Sequence, residues 1–392
     1  MDQRPAAARG AAGLGPELTG VLPDRLLHEA IARGYLSAGE FVIAPHRVQP
    51  ASVDLTLGDT AHRLRSSFLP DRDTVETKLL ELSQGVVDLY GGGGFLEVKV
   101  PYLIPLREEL SLPQWLRAKA NPKSSTGRID VFTRVITDHN YQFDEIRPGY
   151  RGRLYLEVVP LSFPIKVRAG ISLSQLRIVA GAGGRLSDAE ILDTHRVTPL
   201  LYNTDPASAG RLEPEVRNGL FLSVDLAGDR DGIAGYRAKS HTRLLDLTSD
   251  VRIDPADFWE PVRSESGDRL LLEPETFYLL LSRERVSIPP QLASEMVAYD
   301  PTSGELRTHY AGFFDPGFGC SGLASRGSRA ALEVRAHDVP FMVESGQSVC
   351  KLSFERMADV PGNLYGDPGR SHYQGQETTL SKYFLGDALA RA

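Results

Sequence analysis

Short apolar runs, broken by glycine and proline, follow one another along most of the chain. Examples are "GRLYLEVVPL", "FPIKVRAG", "ISLSQLRIV" and "ETFYLLLSRERVSIP". Many short strands separated by frequent turns are typical of an all-β sandwich or barrel. The exception is "VLPDRLLHEAIARGYLSAG" (residues 21–39), where Leu26, Leu27, Ala30 and Ile31 share one face and Gly34 follows them. That spacing predicts one short N-terminal helix.

The same pattern is present twice. "SVDLTLGD" at residue 52 recurs as "SVDLAGD" at residue 223, and "LYLEVVPLSFPIKVRAGISLSQL" recurs as "AALEVRAHDVPFMVESGQSVCKL". Several identical pairs differ by 176 positions: Ser111/Ser287, Glu157/Glu333, Pro164/Pro340 and Gly170/Gly346. A constant offset over several elements indicates an internal duplication. We expect a flexible tail (1–20), a first repeat (21–185), a linker with a short helix (186–216), and a second repeat (217–392) whose C-terminal arm begins near residue 364.

The composition is that of an ordinary globular protein. Of 392 residues, 24% are charged and 41% are apolar, and the formal net charge is -7, which argues against a general nucleic-acid-binding surface. The two cysteines, Cys320 and Cys350, are too few for a disulfide scaffold or a cysteine-rich zinc site. No apolar run approaches membrane-spanning length and the N-terminus does not resemble a signal peptide, so we expect a cytoplasmic protein without membrane partners.

Two features could carry chemistry. The stretch "NPKSSTGR" (residues 121–128) places two hydroxyls between two cations, although alone it is typical of an ordinary turn. Glu157 and Glu333 each lie in an apolar strand, within "LYLEVV" and "ALEV". Burial there would raise the pKa of a carboxyl into the range that suits proton transfer, whereas a glutamate facing outward from an edge strand would have no such role.

Several motifs, taken together and in order, resemble the dCTP deaminase family, relatives of the trimeric dUTPases. They are "VQPASVDLTLG", "KSSTGR", "RPGYRGRLYLEV", "PIKVRAGISLSQL" and "LYGDPGRSHYQGQETTLS". The resemblance covers nearly the whole chain, once per repeat. It implies two tandem dUTPase-like distorted jelly-roll β-barrels. It also implies hydrolytic deamination of dCTP to dUTP and ammonia, which supplies dUTP for thymidylate synthesis, by a glutamate-activated water without catalytic zinc. Mg²⁺ bound through the triphosphate, dTTP as an inhibitor and a trimer-based homo-oligomer are further implications.

The resemblance also assigns residues. In the family, one subunit supplies the Ser-Ser…Arg turn and its neighbour supplies the glutamate, the base-recognition segment and the C-terminal arm. Here the second copy of the turn, "YDPTSGELR", keeps only Ser303 and Arg307 and gains Asp300, while the second copy alone keeps "HYAGFFDPGF" and the arm. We therefore expect one composite site, with Glu157 as a relic or as the acid of a second site. Its expected catalytic residues are Ser124, Arg128 and Glu333, and its expected nucleotide-binding residues are Lys123, Ser125, Ala311, Asp315, Tyr365, Arg370, His372, Tyr373 and Gln376.

Other functions remain open at this point. A dUTPase, or a bifunctional deaminase that also hydrolyses dUTP, would use the same fold. A non-catalytic nucleotide sensor would use it as well. The deaminase-type arm argues against a simple dUTPase, and the retained glutamate and Ser-Ser…Arg turn argue against a sensor. The products formed from dCTP would separate these alternatives.

Overall fold

Strands dominate the described part of the chain. The computed structural model describes residues 13–204, 212–298, 306–308, 312–320, 326–336, 338–367, 373–376 and 379–385. The helices are α1 (Asp24–Ala32), α2 (Val75–Leu82), α3 (Ser124–Gly127) and α4 (Asp188–Val197), with 3-10 turns at Pro45–Arg47 and Pro255–Asp257. The all-β prediction with a short N-terminal helix is confirmed, and α1 ends before Gly34, whose φ of 72° suits glycine.

The first repeat forms two curled sheets that pack over one core, and two more of its strands join a strand of the second repeat in a third, smaller sheet. Their strand orders are β1-β13-β8-β10, with β3 also on β13, and β5-β4-β7-β11-β9, with β2 also on β7. The strands are β1 (Gly20–Val21), β2 (Leu36–Ser37), β3 (Val53–Leu55), β4 (Thr60–Leu64), β5 (Ser83–Asp88), β6 (Gly94–Leu96), β7 (Tyr102–Ser111), β8 (Leu116–Pro122), β9 (Val131–Ile136), β10 (Glu145–Ile146), β11 (Arg151–Pro160), β12 (Ile165–Val167) and β13 (Ser174–Ala180).

The second repeat reuses the same strand pairs within a larger sheet, whose main path is β18-β16-β20-β15-β26-β21-β23. Its strands are β14 (Leu201–Tyr202), β15 (Leu220–Asp225), β16 (Gly235–Ala238), β17 (Leu245–Asp246), β18 (Trp259–Val262), β19 (Arg269–Leu272), β20 (Phe277–Val286), β21 (Leu292–Ala298), β22 (Leu306–Thr308), β23 (Phe313–Phe314), β24 (Ser328–Ala336), β25 (Phe341–Glu344) and β26 (Ser348–Arg356). Glu157 on β11 lies opposite Leu103 on β7, and Glu333 on β24 lies opposite Leu279 on β20. Both pairs of equivalents differ by 176 positions, so the strand register matches the duplication read from the sequence.

The two repeats share structure rather than being joined only by a loop. Strand β17 of the second repeat pairs in parallel with β12 of the first, with Ile165 opposite Leu245. The core of the first repeat also includes Phe258 and Trp259 from the second repeat and Phe384 from the C-terminal arm. Because apolar side chains of the second repeat are buried in the core of the first, this shared core holds the repeats together.

Two predicted boundaries need correction. The flexible tail expected over residues 1–20 is wrong for its second half, because Leu14 and Leu18 are buried in the first core, and residues 1–12 lie outside the described residues. The expected linker at 186–216 contains the predicted helix, α4, but Ile191 and Leu200 pack into the second core, so this segment belongs to the second repeat. An apolar side chain anchors the C-terminal arm, since Phe384 is only 2% exposed.

The helices of the described part of the chain are short. None of them combines the length and apolar character needed to span a bilayer.

Candidate active site

A cavity of about 780 Å³ lies between the two repeats. Its size suits a nucleotide, since small-molecule sites typically measure roughly 300–1,000 Å³. Residues of both repeats line it, so the structure brings the two half-sites expected from the sequence together within one chain. The predicted site residues that line it are Lys123, Ser124, Ser125, Arg128, Asp315, Glu333, Tyr365, Tyr373 and Gln376.

The Ser-Ser turn forms one wall. Ser124 and Ser125 begin the single helical turn α3, which directly follows β8. Arg128 ends this turn and is 4% exposed. Its guanidinium donates to the Thr379 carbonyl (3.3 Å) and lies 3.8 Å from the centre of the Tyr373 ring, so the arm holds Arg128 in place.

Glu333 faces this turn from β24. The carboxyl lies so close to Gly127 that a methyl group there would sit 2.6 Å from Oε1. Glu333 is 7% exposed, and its Oε2 has no hydrogen-bond partner among the described residues. Burial raises the pKa of Glu333 well above its usual value; Arg128 opposes this effect and Asp130 adds to it. A buried carboxyl that lines a cavity with one unpartnered oxygen is suited to exchange protons with a ligand.

The C-terminal arm closes the other side. The Tyr373 backbone N–H donates to the Tyr365 hydroxyl (3.2 Å), and the Lys382 backbone N–H donates to the Tyr373 hydroxyl (3.2 Å). Gln376 donates to the Arg329 carbonyl (2.7 Å). The Ser381 hydroxyl donates to the Ser125 carbonyl (2.9 Å), which ties the arm to the turn of the first repeat. The arm therefore connects both half-sites.

Arg177 contacts the segment around Asp315, which the family resemblance assigned to base recognition. This arginine belongs to β13 of the first repeat and is 1% exposed. It donates to the Phe314 carbonyl (2.9 Å) and to Asp315 (3.1 Å), and it stacks on the Phe313 ring at 3.9 Å. Burial raises the pKa of Asp315, and Arg177 opposes that rise. Nothing in the local sequence pattern marks Arg177, because its strand reads only as an apolar run.

Cations gather at a further part of the wall. Lys123 forms an ion pair with Asp54 of β3, whose Oδ1 has no partner among the described residues. Lys382 lines the same cavity, and burial together with the nearby Lys123 lowers its pKa. Two ammonium groups facing one carboxylate leave an excess of positive charge that suits a polyanion. The sequence reading missed Asp54 and Lys382, although "SVDL" recurs in both repeats and "LSKY" closes the arm.

Glu157 is not brought to this cavity. It is fully buried and accepts from Arg134 Nη2 (2.6 Å) and Nε (3.0 Å), while Arg134 also stacks on Phe143 at 3.8 Å. The first-repeat equivalent of Glu333 is thus engaged in a structural ion pair. Ala311, Arg370 and His372, and the side chains of the second turn, lie outside the described residues.

Metal ligands do not cluster in the described part of the chain. No group of three His, Cys, Asp or Glu side chains lies close enough together there to hold a metal ion. The two cysteines are separate and free, with Cys350 buried and Cys320 half-buried. The prediction that no zinc takes part stays a prediction.

A curled all-β fold with a nucleotide-sized cavity between its two halves defines a protein of the dUTPase-like class. Family models of 2'-deoxycytidine 5'-triphosphate deaminase match residues 18–182 (N-terminal domain) and 187–384 (C-terminal domain). The solved 2'-deoxycytidine 5'-triphosphate deaminase from Agrobacterium tumefaciens is 45% identical, with a TM-score of 0.81, over 88% of this chain and 100% of that chain. The chain belongs to the dCTP deaminase family.

Curated relatives are more distant and match between 31% and 51% of this chain. A protein named "dCTP deaminase, dUMP-forming" from Streptomyces avermitilis is 29% identical over 207 residues, which is 51% of this chain and 95% of the relative. One of the same name from Coprothermobacter proteolyticus is 25% identical over 160 residues, 38% of this chain and 80% of the relative. A nearly full-length match to half of this chain is consistent with the duplication.

Proposed function

We propose that this protein deaminates dCTP hydrolytically at the cavity between its repeats. The carrying observation is that Glu333, a buried carboxyl with a raised pKa, lines the same cavity as the Ser-Ser…Arg turn. Membership of the dCTP deaminase family and the 45% identity to a solved deaminase support the choice of substrate.

Deamination replaces the C4 amine of cytosine by oxygen. Water must lose one proton as it adds to C4, and the new C4 hydroxyl must lose the second as the carbonyl forms. N3 gains one of these protons, and the amine gains the other and leaves as ammonia. One carboxyl beside C4 can carry these protons in turn. Burial raises the pKa of Glu333, so this carboxyl holds a proton more readily than an exposed glutamate does, and the nearby Arg128 opposes that rise.

The remaining groups would bind the nucleotide. The hydroxyls of Ser124 and Ser125 can donate to phosphate oxygens, and Lys123 and Lys382 supply charge. When the triphosphate binds, Lys123 would either leave Asp54 or contact Asp54 and a phosphate at the same time. Mg²⁺ would enter with the triphosphate as part of the substrate, and Asp54 has a free carboxylate oxygen that suits it. Asp315 and the arm tyrosines would hold the nucleoside.

Ammonia release tests the proposal. The purified protein should release ammonia from dCTP in the presence of Mg²⁺, and should release far less from CTP and dCMP. Tight binding of dCTP without ammonia release would instead support a nucleotide sensor.

A second candidate is a dUMP-forming deaminase, which would also cleave the bond between the α and β phosphates. Its support is that the two curated relatives described above carry "dUMP-forming" in their names. Product analysis distinguishes the two candidates, because dUTP marks deamination alone and dUMP with pyrophosphate marks both activities. A trimer-based assembly and inhibition by dTTP remain expectations from the family.

A further inference from the structure

Glu333 and Arg335 lie on the same face of β24, since side chains two positions apart in a strand point the same way. Both meet the segment that follows the Ser-Ser turn in the other repeat. Glu333 contacts Gly127, and Arg335 forms an ion pair with Asp130 three residues further on. Two neighbouring side chains on one face of β24 therefore contact two positions, three residues apart, in the other repeat.

The Asp130–Arg335 pair is buried behind the cavity. Asp130 is fully buried and Arg335 is 4% exposed, and neither lines the cavity itself. Arg335 also donates to the Glu275 carbonyl, and the Ser162 hydroxyl donates to Asp130. Asp130 has a φ of 55°, an uncommon value for a residue other than glycine. A buried, hydrogen-bonded ion pair on a turn of this shape fixes the relative position of the two segments.

The pair has no equivalent between the same elements of the first repeat. The residue that corresponds to Arg335 at the offset of 176 positions is Val159, which carries no charge. The first repeat's glutamate, Glu157, is paired with Arg134 instead. The ion pair thus accompanies the one glutamate that faces the cavity.

We propose that Asp130 and Arg335 are positioning residues that hold the strand of Glu333 in register against the Ser-Ser turn and balance charge beside its carboxyl. The inference rests on the proposed role of Glu333 as proton carrier. Removing one member would leave the other as an unbalanced buried charge next to Glu333. An unbalanced Arg335 would favour the ionised form of Glu333, and an unbalanced Asp130 would favour the protonated form.

Other ionisable groups line the same cavity as Glu333 and stay in place in these variants. They are Arg128 on the turn, Asp315 on the base-recognition segment, and Lys382, Tyr365 and Tyr373 on the arm. Because they are common to every variant, differences between variants report the pair alone.

The test is the pH dependence of kcat/KM for dCTP between pH 5 and 9. We expect Asp130→Asn to lower the apparent pKa of the rate profile and Arg335→Gln to raise it, each by roughly one unit for charges several ångströms apart. The double variant should return to within about half a unit of the wild type. A purely structural role would lower the rate in both single variants without moving their profiles in opposite directions, and that result would overturn the proposal.

Two further variants sharpen the test. Lys119→Met removes a different ion pair between the repeats, Lys119–Glu295, which does not line the cavity, so the profile should not move. Arg335→Lys keeps the positive charge but not the two contacts of the guanidinium, with Asp130 and with the Glu275 carbonyl. It should therefore lower kcat without shifting the pH profile. A shift in Arg335→Lys as large as that in Arg335→Gln would count against the charge argument. If Arg335→Gln does not fold, Arg335→Lys is compared with Asp130→Asn instead: the first profile should stay in place and the second should move to lower pH, and equal shifts would overturn the proposal.

Failure of the pair and failure of the proposed function are separable. A wild-type protein that releases no ammonia from dCTP would refute the function. The pair would then be tested by a double-mutant cycle of Asp130→Asn and Arg335→Gln, measured as free energies of unfolding in urea. Non-additive losses of stability would support the pair, and additive losses would refute it.

Discussion

Replacing Glu333 by glutamine should have opposite effects on activity and on stability. The substitution keeps the size of the side chain and removes the exchangeable proton. General acid–base catalysis is typically worth roughly 10²- to 10⁴-fold, and Glu333 would serve several transfers, so we expect a loss at the upper end of that range or beyond. Binding of dCTP should persist, because the cations and hydroxyls of the cavity are unchanged.

The effect on stability follows from the raised pKa of Glu333. The folded protein keeps the proton at pH values where the unfolded chain has lost it. The contribution of Glu333 to the free energy of unfolding is therefore greatest at low pH and falls as pH rises toward its folded pKa, by up to roughly 1.4 kcal/mol per pH unit. Glutamine has no such loss. The variant should match the wild type near pH 4 and be increasingly more stable toward pH 8.

The assays are single-turnover ammonia release, calorimetric binding of dCTP, and urea unfolding at pH 4, 5, 6, 7 and 8. Glu157→Gln is the matched control, because it is the same change at the equivalent strand position. It should keep its activity and lose roughly 1–3 kcal/mol of stability, since it leaves Arg134 without its ionised partner. An inactive Glu157→Gln protein beside an active Glu333→Gln protein would refute the reasoning.

Three further predictions follow from the same geometry. Mixing inactive Arg128→Ala protein with inactive Glu333→Gln protein should not restore activity, because one chain supplies both residues to its cavity; recovery on mixing would show sites shared between chains. Phe384→Ala should lower the free energy of unfolding by roughly 3 kcal/mol, because the ring is buried against Phe258 and Trp259. It should also raise KM, and an unchanged midpoint of urea unfolding would contradict the packing. Treatment with a zinc-selective chelator, with Mg²⁺ restored, should leave deamination intact, and rescue by zinc alone would refute this.

The fold could be predicted from the sequence because its pattern of apolar residues is local and occurs twice. Alternation of apolar residues predicts strands, and a constant offset between Glu157 and Glu333 predicts two copies with one register. Boundaries were less predictable. Leu14, Leu18 and Phe384 lie in segments rich in small and polar residues, and single apolar anchors in such segments carry no periodic signal.

The candidate site was readable where its residues lie in motifs. The Ser-Ser turn, Asp315, Glu333 and the arm tyrosines could be found in this way, and the structure brings them to one cavity. Arg177 could not be found in this way. It contacts Phe314 of the other repeat, and a contact between residues so far apart in sequence is visible only in the folded structure. The roles of all these residues remain predictions.

A cavity built from both repeats of one chain has a consequence for how the protein behaves at low abundance. When two separate subunits must meet to complete a site, the fraction of complete sites falls as the protein is diluted. Here the two repeats of one chain form the cavity, so the effective concentration of one repeat relative to the other is fixed by the covalent link and by the shared core around Trp259. Completion of this cavity therefore does not depend on how many copies of the chain a cell contains.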